Sequence, residues 1–461
     1  MDAIRFSSLL SVVFFGFLPA HCPADIEIAA SSSQPTEHKV IKPIATKKQI
    51  HQEVDWDIFL LIAADNNLSY FGWNNIKQIS QIGSNKNARI IVQINEPGAN
   101  KKTQRLLIKK NSAKPLFDPY IADKKVDTGN PETLINFVVG TFKAYPAKHI
   151  LCCLWDHGSG YLDPAKSKIL GFPELFQLNP SDMMLERNRD NDAFAHYIST
   201  QQEVRGICFD ETHNSYLSNQ KLDYALRTIC STLGRKIDII GTDACLMQML
   251  EFASLLSPYA NYMVGSQELE LGAGWNYKYI LEPFLTKTLT PAELSKHIVQ
   301  SYQRVYSRIM YEYTLSAVDL SLVGALELNV NNVGLLLRQC LAKQIDNSVK
   351  NTLMQCRNKN ICQSFDIPDY VDLANLYQNI LKNISHFKIK DDQTILNQLA
   401  TELTNGLQYL RACVIENTVG KNVKNANGLS IYFPERSIHS SYLHAPFQVK
   451  NNWVNLLVAL H

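Results

Sequence analysis

The chain has 461 residues, 46% of them hydrophobic and 10% aromatic, so it can bury a large core and is not a disordered protein. Its 45 Lys and Arg residues are nearly balanced by 43 Asp and Glu residues, which excludes a general electrostatic attraction to nucleic acid or to an anionic membrane. Function must therefore reside in a local site.

Residues 1–24 have the layout of a secretory signal peptide. Arg5 is followed by an apolar run from Phe6 to Leu18, and small and turn residues continue to Ala24. This run is shorter than the roughly 20 apolar residues of a membrane helix, and no later run reaches that length, so we expect no stable membrane insertion. Cys22 would fit the lipidation site of a lipoprotein if a small residue preceded it. The preceding residue is instead His21. The pattern favours export to a periplasm or out of the cell over lipid anchoring.

Residues 25–54 are rich in Ser, Thr, Pro and Lys without an apolar period, which indicates a flexible linker or propeptide. From residue 55 to 320, strand and helix signals alternate. Short apolar runs predict buried strands of a parallel sheet at Ile58 to Ala64, Ile90 to Ile94, Ile150 to Leu154, Ile237 to Ile240 and Tyr262 to Val264.

Helix starts lie between these runs. Asn130 before Pro131 and Thr290 before Pro291 each combine an N-cap residue with a proline in the first turn. The alternation predicts an α/β fold, a three-layer sandwich around a mostly parallel central sheet. Residues 161–204 interrupt it with mixed charge and few apolar residues, which predicts an exposed excursion.

Residues 321–461 are expected to form a mainly helical C-terminal region. Helical patterns cover Leu322 to Ile345, Val371 to Ile384 and Thr394 to Glu416. An apolar run from Gly428 to Phe433 predicts one returning strand.

The chain has ten cysteines, and nine remain if the leader is removed, so at least one thiol stays unpaired. Their spacing lacks the paired CxxC motifs of a zinc site. We therefore expect no metal cluster.

Two residues stand directly after predicted strands, at the sheet edge where open parallel sheets bind ligands. His157 follows one run in a glycine-rich turn, and Cys245 follows another, just before a helical pattern from Leu246 to Leu256. A helix N-terminus and a nearby imidazolium would lower the pKa of the thiol. Either residue alone would usually be an ordinary core residue, but together they suggest a nucleophile and its base. A serine hydrolase using Ser159 would need a GxSxG elbow, which the sequence lacks.

The segments WDHGSG (155–160) and DIIGTDACLMQMLE (238–251) resemble the His and Cys boxes of the clostripain family of cysteine peptidases, family C11. Five other stretches agree in the same order: WDIFLLIAADNNL, DTGNPETL, VGSQELELGAGWNY, TLSAVDLS and GLSIYFP. The resemblance extends from about Trp56 to Pro434.

This resemblance implies a caspase-like fold and cleavage of peptide bonds after Arg or Lys. Cys245 would attack the scissile carbonyl, and His157 would protonate the leaving amine. The backbone N–H groups of Gly158 and Cys245 would form the oxyanion hole. Asp243 would face the S1 pocket and pair a basic P1 side chain, unless it is only a turn or cap residue. Asp210 aligns loosely with another acid of the family.

Members of the family are often matured by self-cleavage between the two boxes. The candidate positions here are Lys166, Lys168, Arg187, Arg189 and Arg205. This stretch is longer and more charged than the family pattern, so the processing site stays open, and residues 161–204 are a candidate activation loop or lid. Some relatives bind calcium, but the sequence has no EF-hand loop or dense carboxylate cluster, so we expect no cofactor, with calcium the one open alternative.

Two other functions stay open on the sequence alone. The first is a non-catalytic peptide-binding or adhesion protein on the same fold, against which the intact Cys245, His157 and Asp243 argue. The second is a transpeptidase, which would form the same thioester and resolve it with an amine instead of water. We expect protein or peptide substrates with a basic P1 residue, no nucleic-acid partner, and a monomer.

Overall fold

A computed structural model describes residues 54–162, 176–187, 206–390, 393–444, 447 and 451–461. The predicted signal peptide and almost all of the predicted linker lie outside the described residues. So do four of the basic candidates for processing, Lys166, Lys168, Arg189 and Arg205.

The described strands are β1 Val54–Ala63, β2 Ala88–Asn95, β3 Gln104–Lys109, β4 Ser112–Pro115, β5 Ala147–Trp155, β6 Phe176–Leu178, β7 Leu185–Arg187, β8 Ile207–Asp210, β9 Ser215–Leu217, β10 Ile237–Asp243, β11 Ala260–Gly265, β12 Thr314–Asp319, β13 Tyr370–Asp372, β14 Val414–Val419 and β15 Ser430–Tyr432.

The described helices are α1 Ser69–Ile82, α2 Pro131–Ile135, α3 Thr141–Ala144, α4 Asn219–Leu233, α5 Leu250–Leu256, α6 Tyr277–Leu281, α7 Pro291–Tyr306, α8 Val323–Lys343, α9 Ser348–Arg357, α10 Leu373–Asn383, α11 Gln393–Cys413 and α12 Asn452–Leu460. A π-helical stretch, Asn136–Gly140, joins α2 to α3.

Nine strands of the described chain form the main sheet, in the order β14-β12-β11-β10-β5-β1-β2-β3-β4. The five central strands, from β11 to β2, run parallel, and the outer strands on both sides are antiparallel. The predicted α/β sandwich with a mostly parallel central sheet is confirmed, and the five predicted apolar runs coincide with these five strands.

The central strands read as continuous apolar runs because helices cover both faces of the sheet. In β1, every residue from Trp56 to Ala63 is buried. The helices α1, α6 and α7 pack together in one layer, while α2, α4, α5 and α8 contact one another in a second layer. Both predicted helix starts are observed, since Asn130 caps α2 and Thr290 forms a capping box with Glu293 at α7.

The strand by which the C-terminal region joins the main sheet is not the predicted one. The strand that joins the main sheet is β14, which begins inside the predicted helix over Thr394 to Glu416. Within the run Gly428 to Phe433, β15 pairs instead with β13 in a small antiparallel sheet. Pairing with β12 makes Val414–Val419 a strand instead of the end of a helix, because this β-branched segment gains ladder hydrogen bonds there.

Residues 320–343, comprising a short turn and α8, are long and apolar enough to cross a membrane by length and composition. The sequence pattern did not single them out, because Glu327 and Arg338 interrupt the apolar run. In the structure, α8 packs against α11 and α12 and buries side chains such as Leu326 and Leu337. This is the arrangement of a core helix in a globular protein.

Candidate active site

The sheet register brings the two predicted boxes together. Strands β5 and β10 are parallel neighbours, and Trp155 lies opposite Asp243 at the last paired position. His157 and Cys245 each follow two residues later, beyond the carboxyl ends of these strands. A Cβ atom placed on Gly158 would lie 2.4 Å from the carbonyl oxygen of Cys245, so the two turns are in backbone contact.

The local structure at Cys245 is a turn rather than the start of a helix. Leu246 has a left-handed backbone (φ 64°), and α5 begins only at Leu250. Between them, Met249 forms a bridge with Ser430 of the C-terminal region. The prediction of a helix from Leu246 was therefore wrong, and the helix that follows Cys245 begins only five residues later.

The thiol of Cys245 is held by the backbone of Glu270. The Glu270 N–H donates to Sγ at 3.2 Å, and Sγ lies 3.7 Å from the Glu270 carbonyl oxygen. Burial raises the pKa of Cys245 to about 12, and the carboxyl groups of Glu270, Glu268 and Asp243 act in the same direction. The expected lowering of the thiol pKa was wrong, because burial and negative charge outweigh any positive field.

The imidazole of His157 is held by Asn67, a residue that sequence reasoning missed. Its Nε2 lies 2.7 Å from the Oδ1 atom of Asn67. Burial lowers the pKa of His157 to about 4, so the ring is neutral at neutral pH and can accept a proton. The hydrogen bonds of the imidazole and of the Cys245 thiol thus run to Asn67 and Glu270, not to each other.

The segment carrying Asn67 follows β1, which is the strand next to β5 in the sheet. Its neighbour Asn66 donates to the carboxylate of Asp156 at 2.7 Å, and the N–H of Phe209 also donates to that carboxylate. Buried Asp156 therefore anchors the turn that carries His157. The signal in the sequence was a polar stretch directly after a strand, at the same edge of the sheet as the His box.

Asp243 is buried at the end of β10. Its carboxylate accepts hydrogen bonds from the N–H of Trp275 at 3.1 and 3.0 Å and from the hydroxyl of Tyr277 at 2.7 Å. Burial raises its pKa to about 6. A Cβ atom on Gly274 would lie 2.7 Å from both carboxylate oxygens, so glycine is required at this close approach.

A second buried acid, Glu270, lies beside Asp243 and was not singled out in the sequence. Only 8% of Glu270 is exposed. Its pKa is raised well above the usual range, first by burial and then by the negative charge of Asp243. The stretch VGSQELELGAGWNY therefore supplies one face of the site, with contacts to both Cys245 and Asp243.

Asp210 lies in a cluster with Asp65 and His213. Lys125 pairs with Asp65 at 2.6 Å. Asp210 accepts hydrogen bonds from the backbone and hydroxyl of Thr128 at 3.1 and 3.2 Å, and its other oxygen lies 2.8 Å from His213 Nδ1. Neither oxygen of Asp65 accepts a hydrogen bond of ordinary geometry, and the ion pair with Lys125 is its charge partner.

Arg187, one of the candidate processing residues, lies in β7 of a short hairpin. Its guanidinium pairs with Asp366 and lies 3.7 Å from Glu268, while its backbone N–H donates to Glu312 at 3.0 Å. Only 15% of its side chain is exposed. Cleavage after Arg187 would therefore require this buried pairing to break first.

Free thiols among the described cysteines include Cys152, Cys153, Cys230, Cys245 and Cys413. Apart from Cys230 and Cys245, these cysteines are fully buried. Cys245 is thus distinguished from the rest by its position beyond a strand end rather than by being a free thiol.

The sequence profile of the clostripain family matches residues 60–178 and 191–458, which is most of the chain. The chain belongs to the clostripain family. This clostripain-family protein is accordingly a cysteine peptidase. A search of curated proteins gave no match.

Solved structures agree with this family assignment. A secreted C11 cysteine protease from Bacteroides thetaiotaomicron, bound to an irreversible peptide inhibitor, superposes with a TM-score of 0.56 at 17% identity, over 88% of this chain and 99% of that one. An inactive zymogen of a C11 protease from Parabacteroides distasonis gives 0.55 at 15% identity, over 88% and 99%. At these identities, the likeness shows that the clostripain-family fold is shared.

Proposed function

We propose that this peptidase hydrolyses peptide bonds after Arg or Lys, with Cys245 as nucleophile and His157 as acid and base. The observation that supports the pair is the sheet register, which places both residues just beyond the ends of adjacent parallel strands with their turns in contact. Family membership supplies the reaction class.

In the proposed reaction, Sγ of Cys245 attacks the scissile carbonyl carbon while its proton passes to the neutral imidazole of His157. The imidazolium then protonates the leaving amine, and a thioester remains. Water, deprotonated by His157, hydrolyses this thioester and releases the thiol. Because burial raises the pKa of the thiol, its proton is lost to His157 as Sγ attacks.

The oxyanion formed in each step would be bound by the backbone N–H groups of Gly158 and Cys245. The close contact between these two backbone segments supports that role. Such a donor contributes roughly 3 kcal/mol to transition-state stabilisation in other hydrolases.

A basic P1 side chain would enter beside Asp243, two residues before the nucleophile. The support is a buried carboxyl that becomes charged above about pH 6. Its negative charge would favour a guanidinium or ammonium group over a neutral or acidic side chain.

The test is hydrolysis of fluorogenic peptides that differ only in P1, which is Arg, Lys, Asp or Leu. We expect cleavage after Arg and Lys that is abolished in Cys245→Ala and His157→Ala and retained in Cys230→Ala, which removes a partly exposed thiol elsewhere. Cleavage after Asp or Leu would refute the basic pocket. Amide products on adding an amine would indicate transpeptidation, and no cleavage at all would favour a binding function.

We also propose that the protein is exported, acts as a monomer and processes itself. The leader pattern supports export, and solved relatives are described as secreted. N-terminal sequencing and mass spectrometry of the mature chain would locate cleavage at Ala24 and at a basic residue between the two boxes. Fragments that persist in Cys245→Ala would contradict self-processing.

The proposed reaction uses no cofactor, since side chains and backbone groups supply the nucleophile, the base and the oxyanion donors. We expect EDTA to leave peptide hydrolysis unchanged. Loss of activity that calcium restores would instead assign a calcium requirement.

A further inference from the structure

The loop between β11 and α6 forms a wall beside Cys245, and two buried acids meet there. Asp243 approaches from the end of β10, and Glu270 belongs to the loop itself. The groups that act most strongly on the pKa of these two acids are each other, the backbone and aromatic side chains, and not a lysine, arginine or histidine. By contrast, the neighbouring Glu268 pairs with Arg187.

The acceptor capacity of Asp243 is largely used inside the protein. A carboxylate can accept about four hydrogen bonds. The backbone N–H of Trp275 donates to both carboxylate oxygens of Asp243, and the Tyr277 hydroxyl also donates to Oδ2. Asp243 thus holds the loop in place, and little of its acceptor capacity is left for a ligand.

The carboxylate of Glu270, by contrast, has acceptor capacity that the protein leaves unused. Neither of its carboxylate oxygens makes a hydrogen bond of ordinary geometry within the described chain, although Asp243, Trp275 and the Ala244 backbone are close enough to affect its pKa. The indole N–H of Trp275, in the same wall, has no acceptor of ordinary geometry either. Buried polar atoms without a partner of ordinary geometry are costly, and a charged ligand group would supply such a partner to Glu270.

We infer that Glu270 is the carboxylate that directly binds the cation of the P1 side chain, while Asp243 adds negative charge and positions the wall. This inference rests on the proposed preference for a basic P1 residue. It assigns the direct contact to a residue outside the Cys box.

The same residue also touches the nucleophile, because the Glu270 N–H donates to Sγ of Cys245. A negative charge on the Glu270 carboxyl raises the pKa of the thiol. A P1 cation would offset that charge and favour ionisation of the thiol. Loss of the Glu270 carboxylate should therefore affect kcat as well as KM for basic substrates.

The test compares two peptides that differ only in P1, arginine or its neutral isostere citrulline, in wild type and in Glu270→Gln. We expect wild type to prefer arginine, and Glu270→Gln to reduce the arginine-to-citrulline ratio of kcat/KM by at least about tenfold, the effect of losing one charge-assisted pair. The loss should fall mainly on the arginine peptide, because a neutral citrulline side chain makes no ion pair. Glu282→Gln, an exposed acid in the following turn, is the matched control and should leave the ratio unchanged.

An unchanged ratio in Glu270→Gln would overturn the inference. An equal loss on both peptides with unchanged Tm would also overturn it, since the role would then not be recognition of charge. If wild type shows no preference for arginine, the proposed function itself fails. Should Glu270→Gln not fold, Glu270→Asp is measured in its place; a reduced ratio supports the inference and an unchanged ratio overturns it.

Discussion

At the scale of single residues, burial controls the protonation of the candidate catalytic pair. It raises the pKa of Cys245 to about 12 and lowers that of His157 to about 4, so both side chains are neutral near pH 7. A neutral pair protects the thiol from unwanted reaction, because the thiolate is the reactive form. We therefore expect the thiol to ionise only when a bound substrate changes the local field.

Gly158→Ala should abolish most activity. The added Cβ would lie 2.4 Å from the carbonyl oxygen of Cys245 and push apart the two proposed oxyanion donors. We expect kcat/KM to fall by about 100-fold or more, as for loss of one donor in other hydrolases. The matched control is Gly324→Ala, whose Cβ meets nothing within 4 Å and should leave activity intact. Normal activity in Gly158→Ala would contradict the proposed oxyanion hole.

Asn67→Ala should lower kcat by roughly tenfold or more with little change in KM, because the imidazole of His157 loses the partner that orients it. The exposed Asn397→Ala is the control. Asn67→Asp adds a carboxylate next to Nε2, so the pKa of His157 should rise and the acid limb of the kcat profile should move to higher pH. A purely structural role for Asn67 would leave that limb unmoved.

Sequence reasoning identified His157 and Cys245 because both directly follow apolar strands, which is a local signal. It did not identify Asn67 or Glu270, because their roles depend on contacts with residues far away in the chain. The same limit explains the wrong expectation for the thiol pKa. Burial and the nearby carboxyl groups are properties of the folded site, whereas a helix pattern is read from neighbours in sequence.

At the scale of elements, the hairpin of β6 and β7 is attached to the body of the protein near the site. The N–H of Leu185 donates to the carbonyl of Ile309 at 2.7 Å, and Arg187 pairs with Asp366 and Glu268. The backbone carbonyl of Glu268 in turn accepts a hydrogen bond from the N–H of Leu246. The hairpin is thus linked through one side chain to the residue that follows Cys245.

Arg187→Ala should destabilise the fold by about 3 kcal/mol, because two buried carboxylates lose their cation. The control is Arg227→Ala, which breaks an exposed pair with Asp223 and should cost about 0.5 kcal/mol or less. Both are measured by chemical denaturation in a Cys245→Ala background, which removes self-cleavage. Equal losses in the two variants would show that the Arg187 pairing does not anchor the hairpin.

At the scale of the whole molecule, the C-terminal region completes the fold of the preceding residues. It supplies β14 to the edge of the main sheet. Near the site, the N–H of Ser430 donates to the Gln248 carbonyl at 3.1 Å, and the N–H of Gly428 donates to the Gln267 side chain at 2.9 Å. The segments on both sides of Cys245 and Glu270 therefore depend on residues beyond 320.

A fragment of residues 54–320 should not fold by itself, because it lacks β14 and the partners of Gln248 and Gln267. We expect it to aggregate or to show no cooperative thermal transition. Co-expression with residues 321–461 should restore solubility and peptide hydrolysis. A cooperative transition in the isolated fragment would show that the first region is an independent domain.

By itself, the sequence determined the central parallel sheet and the edge at which the site lies, because continuous apolar runs and the residues that follow them are local patterns. The tertiary structure decided which C-terminal strand joins the edge of the sheet. It also decided that Asn67 and Glu270 contact His157 and Cys245, and in which direction the pKa values of that pair shift. These features arise from burial and from contacts between distant segments. Hydrogen bonds and pKa values depend on what surrounds a group in space, and the order of residues along the chain does not display those surroundings.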